Sequence, residues 1–144
     1  GLLFWCVCNP LGVMTMTEAV SKVTEFSLRQ FTGTESWQCV DIFKRYLASD
    51  GVAYVFKQCR CYWLGDVIAS HARKLLRADF VVWFVRADGG GVIVTAEDGN
   101  GGVLHRQKVD YSDLGQYYDL SEPLRIYQQA TGDGRATLIL PSEY

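Results

Sequence analysis

The sequence predicts an α+β fold, with N-terminal helices packed on one face of a C-terminal antiparallel sheet of about four to five strands. Two observations carry this. Apolar residues recur at steps of three and four up to Arg77, and at steps of two from Phe80 onward. The second half is also cut by Gly-rich turns that join strand to strand. A chain of 144 residues, 49% of them hydrophobic, can bury a core as a single domain without a metal or disulfides. Residues 17–144 are expected to form that domain, behind an apolar extension over 1–16.

The extension, GLLFWCVCNPLG at its start, is too short to span a membrane and lacks the basic region of a secretory signal. Met14 and Met16 are both plausible translation starts. An apolar segment of this kind needs packing, as an extra strand or against a partner subunit. Thr15 and Glu18 have the spacing of a capping box. Val20, Val23, Thr24, Ser27, Leu28 and Phe31 then mark one face of a helix from about Thr17 to Gln30.

Thr32 and Glu35 repeat the capping-box spacing, and a helical turn is expected there, capped by Glu35. Cys39–Ala48 suits a helix or a short strand. Asp50 is the expected N-cap of a short helix over Val52–Lys57. Cys61–Arg77 is the longest well-patterned helix, with Leu64, Val67, Ile68, His71 and Leu75 on its core face. Tyr62, Asp66, Ser70 and Arg73 run along its flank. Strands follow at Phe80–Arg86, Val92–Glu97 and Val103–Tyr111. A last hairpin pairs Leu124–Gln129 with Ala136–Leu140 around a Thr-Gly-Asp-Gly turn.

FTGTESW (31–37), DGVAY (50–54), YWLGDVIAS (62–70), EDGNG (97–101) and LPSEY (140–144) stand in this order along the chain. Together they resemble a small bacterial and mobile-element family catalogued only as a domain of unknown function, across Leu28–Tyr144. The resemblance implies a shared fold and brings no activity with it. Residues 1–16 lie outside it, and the two Cys-x-Cys pairs do not look like features of the family.

The residue types that carry chemistry are few. A net charge of −2 excludes nucleic-acid binding through a broad basic surface. No Walker, G-x-S-x-G or H-E-x-x-H pattern occurs, and the glycines at 89–91 and 99–102 precede strands rather than a phosphate-binding helix. No cofactor is expected. Glu35, Asp66 and His71 are the candidate catalytic residues, and a small hydrolase-like enzyme needs at least two of them in one cleft. The bland alternatives are a capping Glu35, an exposed Asp66 paired with Arg73 or Lys74, and a core His71. Cys6, Cys8, Cys59 and Cys61 offer four thiolates in two Cys-x-Cys pairs, but structural zinc favours wider ligand spacing. Buried thiols in a reducing compartment are the simpler reading.

The leading expectation is a cytoplasmic, non-enzymatic module for protein or small-ligand binding. Trp37, Tyr62, Trp63 and Asp66 are its candidate contact residues, because aromatics anchor interfaces. A homodimer is expected, through Phe4 and Trp5 or through an edge strand.

Overall fold

The computed structural model describes the backbone pairing of residues 2–9 and 13–20 and, side chains included, residues 22–144. β1 (Leu2–Asn9) and β2 (Val13–Val20) pair antiparallel as a two-stranded sheet, Trp5 opposite Thr17. The helix expected from Thr17 is therefore a strand over its first turn. Apolar β1 supplies a ladder for a segment rich in Thr and Val, and this non-local pairing overrides the local helical spacing. The contact expected of Phe4 and Trp5, and the thiolates expected of Cys6 and Cys8, lie outside the described side chains.

A capping box does occur, at Thr24 and Ser27 instead of Thr15 and Glu18. Thr24 Oγ1 accepts the Ser27 N–H at 3.0 Å and Ser27 Oγ accepts the Thr24 N–H at 2.9 Å. It starts only a one-turn helix, α1 (Glu25–Leu28). The turn expected at Thr32–Glu35 is absent. That loop runs into β3 (Gln38–Cys39) and β4 (Tyr46–Ala48), and α2 (Asp50–Gln58) follows. Ser49, one residue earlier than expected, is the N-cap of α2, its Oγ accepting the Val52 N–H at 3.2 Å.

The long predicted helix is broken at His71, into α3 (Tyr62–Ser70) and α4 (Ala72–Leu75). Five more strands follow: β5 (Phe80–Asp88), β6 (Gly91–Glu97), β7 (Val103–Val109), β8 (Leu124–Ala130) and β9 (Ala136–Ile139). The one-turn α5 (Leu114–Tyr117) joins β7 to β8, and a 3-10 turn, Pro141–Glu143, follows β9.

These strands correct the predicted fold class. The sheet is mixed and seven-stranded, in the order β3-β4-β9-β8-β5-β6-β7. β4 pairs parallel with β9, and the other pairings are antiparallel. Short helices interleave with the strands instead of preceding them. β3 and β4 bound the stretch that suited a helix or a short strand, and at two and three residues they are too short for a period of two to register.

One face of the sheet is the core. Trp83, Val85, Val94, Ala96, Ile126 and Leu138 are fully or almost fully buried there, beneath α2, α3 and α4. A buried polar bridge ties the layers together. The Trp83 indole N–H donates to Gln128 Oε1 at 2.8 Å, and Gln128 Nε2 donates to the Leu75 carbonyl at 2.9 Å. On the other face Phe80, Tyr127 and Tyr144 pack edge to face, with ring centroids 5.2–5.7 Å apart.

The loops that carry the sequence motifs meet at the start of α2. The Asp50 carboxylate accepts the Glu35 N–H at 2.8 Å and the Ser36 hydroxyl at 2.7 Å, while Thr34 Oγ1 accepts the Asp50 N–H at 2.9 Å. From the other side, the Glu143 carboxylate accepts the Ser49 hydroxyl and the N–H groups of Gly51 and Leu140. Gly51 is required here, because a Cβ would lie 2.5 Å from Leu140 Cδ1 and 2.6 Å from Glu143 Oε1. TGTES, SDG and LPSEY thus form one clasp around a helix N-terminus, whose free N–H groups need acceptors.

Candidate functional site

α3 crosses the core face toward the last strand of the sheet. Trp63, Val67, His71 and Lys74 fall at helical spacing along α3 and α4, and each meets something on or beside β7. Lys74 Nζ donates to the Leu104 carbonyl at 2.8 Å. The imidazole of His71 lies 3.8 Å, centroid to centroid, from that of His105, and its Nε2 is 2.9 Å from Gln107 Oε1. His71 also stacks on Trp83 at 6.4 Å. Further along, Trp63 and Val67 face Gln107 and Val109 across an open groove of about 730 Å³. Tyr111, Ser112, Asp113, Gln116 and Gly90 complete its walls.

β7 lies at the end of the sheet, and among the described residues no further strand pairs with it. The direction of its backbone groups follows from the neighbouring hairpin. Asp88 and Gly91 flank the two-residue Gly89-Gly90 turn between β5 and β6, and such a flanking pair is hydrogen-bonded. Val92, Val94 and Ala96 then point their backbone groups at β7, toward Val109, Gln107 and His105. The backbone groups of Arg106 and Lys108 consequently point away from the sheet. Ahead of them a bulge leaves Leu104 without an opposite residue, since Glu97 faces Val103 and Ala96 faces His105. So β7 offers a free ladder beside a partly apolar groove.

The electrostatics of this strip are uneven. His105 titrates below the ordinary imidazole range because burial, then the charges of His71 and Lys74, oppose its protonation. Lys108 sits 3.4 Å from Asp88 and 3.9 Å from Asp110. Lys74, on the groove side, has no carboxylate partner among the described residues, and neither has Arg106 on the opposite face of β7. The Leu104 end of the groove is therefore basic, and its Asp113 end is acidic.

The sequence candidates are scattered. Glu35 is exposed in the clasp loop, where its backbone N–H, not its carboxylate, does the bonding. That corrects the capping role expected of it. Asp66 is exposed on the far flank of α3 and lines a small pocket with Tyr62, Cys39 and Val40. The ion pair expected of Asp66, with Arg73 or Lys74, is not formed with either, and Lys74 reaches the Leu104 carbonyl instead. His71 lies on the β7 side. No cleft described here contains two of these three. Of the binding candidates, Trp63 lines the large groove, Tyr62 lies across the helix from it, and Trp37 is 44% exposed beside β3. Gly65 lets α3 approach so closely, because a Cβ there would meet Val40 Cγ1 at 2.7 Å.

Sequence reasoning did not pair His71 with His105, nor place Gln107 and Val109 in a groove. The signal was available: His105, Gln107 and Val109 alternate on β7, and His71 continues the Trp63–Val67 line. What joins the two lines is a tertiary contact.

Of the three described thiols, Cys39 is exposed and the other two are buried. Cys59 and Cys61 flank the junction between α2 and α3, fully buried and unoxidised, and their Sγ atoms lie 3.8 Å from the Tyr117 carbonyl and 3.6 Å from the Val55 carbonyl. Burial pushes the Cys59 thiol up to about 12 and raises Cys61 also. Among the described residues, no three metal-binding side chains cluster.

Over residues 22–144 the fold and groove define an α/β module built on one mixed sheet, whose last strand has α3 against one face and, among the described residues, no further strand along its edge. The chain belongs to DUF6876, a family of unknown function, which it matches over residues 22–144. It is also similar to the crystal structure of a protein of unknown function from Enterococcus faecalis, with a TM-score of 0.51 and 22% identity, covering 76% of this chain and 98% of that one. At that identity the likeness concerns the fold. No curated protein matches the sequence. Among the described residues, no helix is long and apolar enough to cross a membrane.

Proposed function

We propose that the protein is a non-catalytic binding module that takes an extended peptide segment of a partner along β7. The observation that carries this reading is the open β7 ladder beside the Trp63–Val67–Gln107–Val109 groove. An added strand bonds to the outward backbone groups of Arg106 and Lys108, and every second side chain enters the groove. The separation of Glu35, Asp66 and His71 supports a binding role over hydrolysis. The buried, unoxidised Cys59 and Cys61 support a cytoplasmic setting.

The test is an NMR titration of the full chain with the neutral peptide acetyl-Val-Thr-Val-Thr-Val-amide. Shifts are expected at the amides of 104–109 and at the Trp63 indole. Arg106→Pro removes an outward N–H that β6 does not use, so it should abolish the shifts while leaving the fold intact. Shifts confined to other surfaces would refute the reading.

A second reading concerns the opposite edge. Ile42 is 88% exposed and Phe43 69% exposed in the loop between β3 and β4, with Trp37 on the same edge. We propose that a homodimer forms there. Light scattering at high concentration should report a dimer that Ile42→Asp converts to monomer, and a wild-type monomer would exclude it.

A further inference from the structure

We propose that the cluster of Lys74, His71 and His105 at the Leu104 end of the groove seats a carboxylate, so that the extended partner is an acidic peptide with an Asp or Glu side chain at that end. This rests on the peptide-binding reading of β7 and names the chemistry of its partner.

The charge of Lys74 is unmet by any carboxylate among the described residues. Lys74 is held by its bond to the Leu104 carbonyl, at the margin of the free ladder. That bond satisfies one donor of the ammonium and leaves others. His71 and His105 lie ring against ring beside it, both half-buried. The groups packed around them supply no counter-charge. β5 contributes Trp83, and β7 contributes Gln107 on the same face and Arg106 on the other. α4 adds the exposed Arg73, and the turn after it the exposed Arg77. Asp66 of α3 faces the Tyr62 pocket instead, and Asp113 lies at the other end of the groove. Three basic groups therefore share a site where the protonation of one opposes that of the next.

An acidic side chain relieves this arrangement. It accepts from Lys74 and from a protonated imidazole, in charge-assisted hydrogen bonds. A strand of five residues spans about 16 Å. That length allows one end to reach the basic cluster while the other lies beside Trp63. A second copy of β7 is the poorer occupant, because antiparallel self-pairing would set Arg106 and Lys108 against their own kind.

The chemistry fixes the direction of a pH effect. A carboxylate beside His105 favours its charged form, so binding raises the His105 titration midpoint and takes up a proton. Affinity for an acidic peptide then rises as pH falls, and affinity for its neutral twin does not.

The experiment uses the full chain and four probes. Acetyl-Glu-Thr-Val-Thr-Val-amide and acetyl-Val-Thr-Val-Thr-Glu-amide cover both strand directions, and their Gln counterparts are the neutral twins. Imidazole resonances are followed by NMR between pH 5.5 and 7.5. One Glu peptide should bind at least about threefold more tightly than its Gln twin at pH 5.5, with a smaller gap at pH 7.5, and should move the His105 midpoint upward. Lys74→Gln, at an exposed position, should close most of the gap between the Glu peptide and its Gln twin. Equal binding of Glu and Gln twins at both pH values would overturn the carboxylate seat and leave the groove reading standing. If none of the four perturbs Trp63 or residues 104–109, the groove reading fails, and the seat with it.

Discussion

β3 and β7 are the two ends of one sheet, and different forces hold them. β7 is seven residues long and pairs with β6 through a tight Asp98–Gly102 turn, where Asp98 Oδ1 accepts the N–H groups of Asn100 and Gly102 at 2.8 and 3.0 Å. Its stability is local in sequence. β3 and β4 together have five residues, two and three. They are kept in place by the parallel pairing of β4 with β9 and by a clasp whose members, Thr34, Ser36, Ser49, Asp50 and Glu143, come from three parts of the chain. The difference teaches where each edge is vulnerable. Side-chain changes in the clasp should loosen the β3 end, whereas the β7 end should tolerate them and respond instead to what lies against it.

The largest effect should come from Gly51→Leu. A side chain there collides with Leu140 and Glu143, so urea denaturation should show a loss of about 3 kcal/mol. Arg106→Leu, on the other edge, should change stability by less than about 0.5 kcal/mol. Comparable losses from the two would erase the contrast.

Next is Glu143→Ala, which leaves the N–H groups of Gly51 and Leu140 without their acceptor. The expected cost is about 2 kcal/mol in the same assay, with the amides of 46–52 exchanging faster and those of 105–109 unchanged.

A smaller effect separates the edges by pH. At the β7 end, His105 has its proton affinity lowered by burial, His71 and Lys74. The unfolded chain therefore binds this proton more readily, so stability is complete above the ordinary imidazole value of about 6.5 and declines as pH falls below it. His71→Gln should make that decline shallower between pH 7 and 5. At the β3 end, the Asp50 carboxyl is held low by the Glu35 N–H and the Ser36 hydroxyl. Its contribution is present above the ordinary carboxylate range and is lost only at more acidic pH, where exchange at the Glu35 amide should accelerate. A flat profile from pH 7 to 5 would count against the histidine contact.

The smallest effect is chemical and leaves stability untouched. Cys39 is exposed beside β3, whereas Cys59 and Cys61 are buried with raised pKa values. Iodoacetamide at pH 8 should label Cys39 well before the other two, as read by peptide mass spectrometry. Early labelling of Cys59 would mean that the α2–α3 junction opens.

The same contrast governs what could be read without a structure. The hairpins β5–β6–β7 and β8–β9 were legible because Phe80–Arg86 and Val92–Glu97 are long, β-branched and bounded by glycines. The helical line from Leu64 to Leu75 was legible for its period, although not its break at His71, where the α3 backbone ladder gives way to a new turn. β4 was not legible, since Tyr46–Ala48 becomes a strand only when β9, almost a hundred residues later, lies beside it. In the site, Trp63 and His71 were singled out by type and position. His105, Gln107 and Val109 were not, because their role depends on which strand α3 crosses. The Thr32–Glu35 spacing misled for the same reason: Asp50 competes for that loop more effectively than a local cap does.

The bulge at Leu104 acts as a phase adjuster. Val103 shares a face with Glu97, yet His105, two positions on, shares the opposite face with Ala96. One supernumerary residue thus decouples the parity of the preceding turn from that of the groove wall. The turn can gain or lose a residue at this point while His105, Gln107 and Val109 keep facing α3. A deletion between His105 and Val109 would instead turn the rest of that wall inside out.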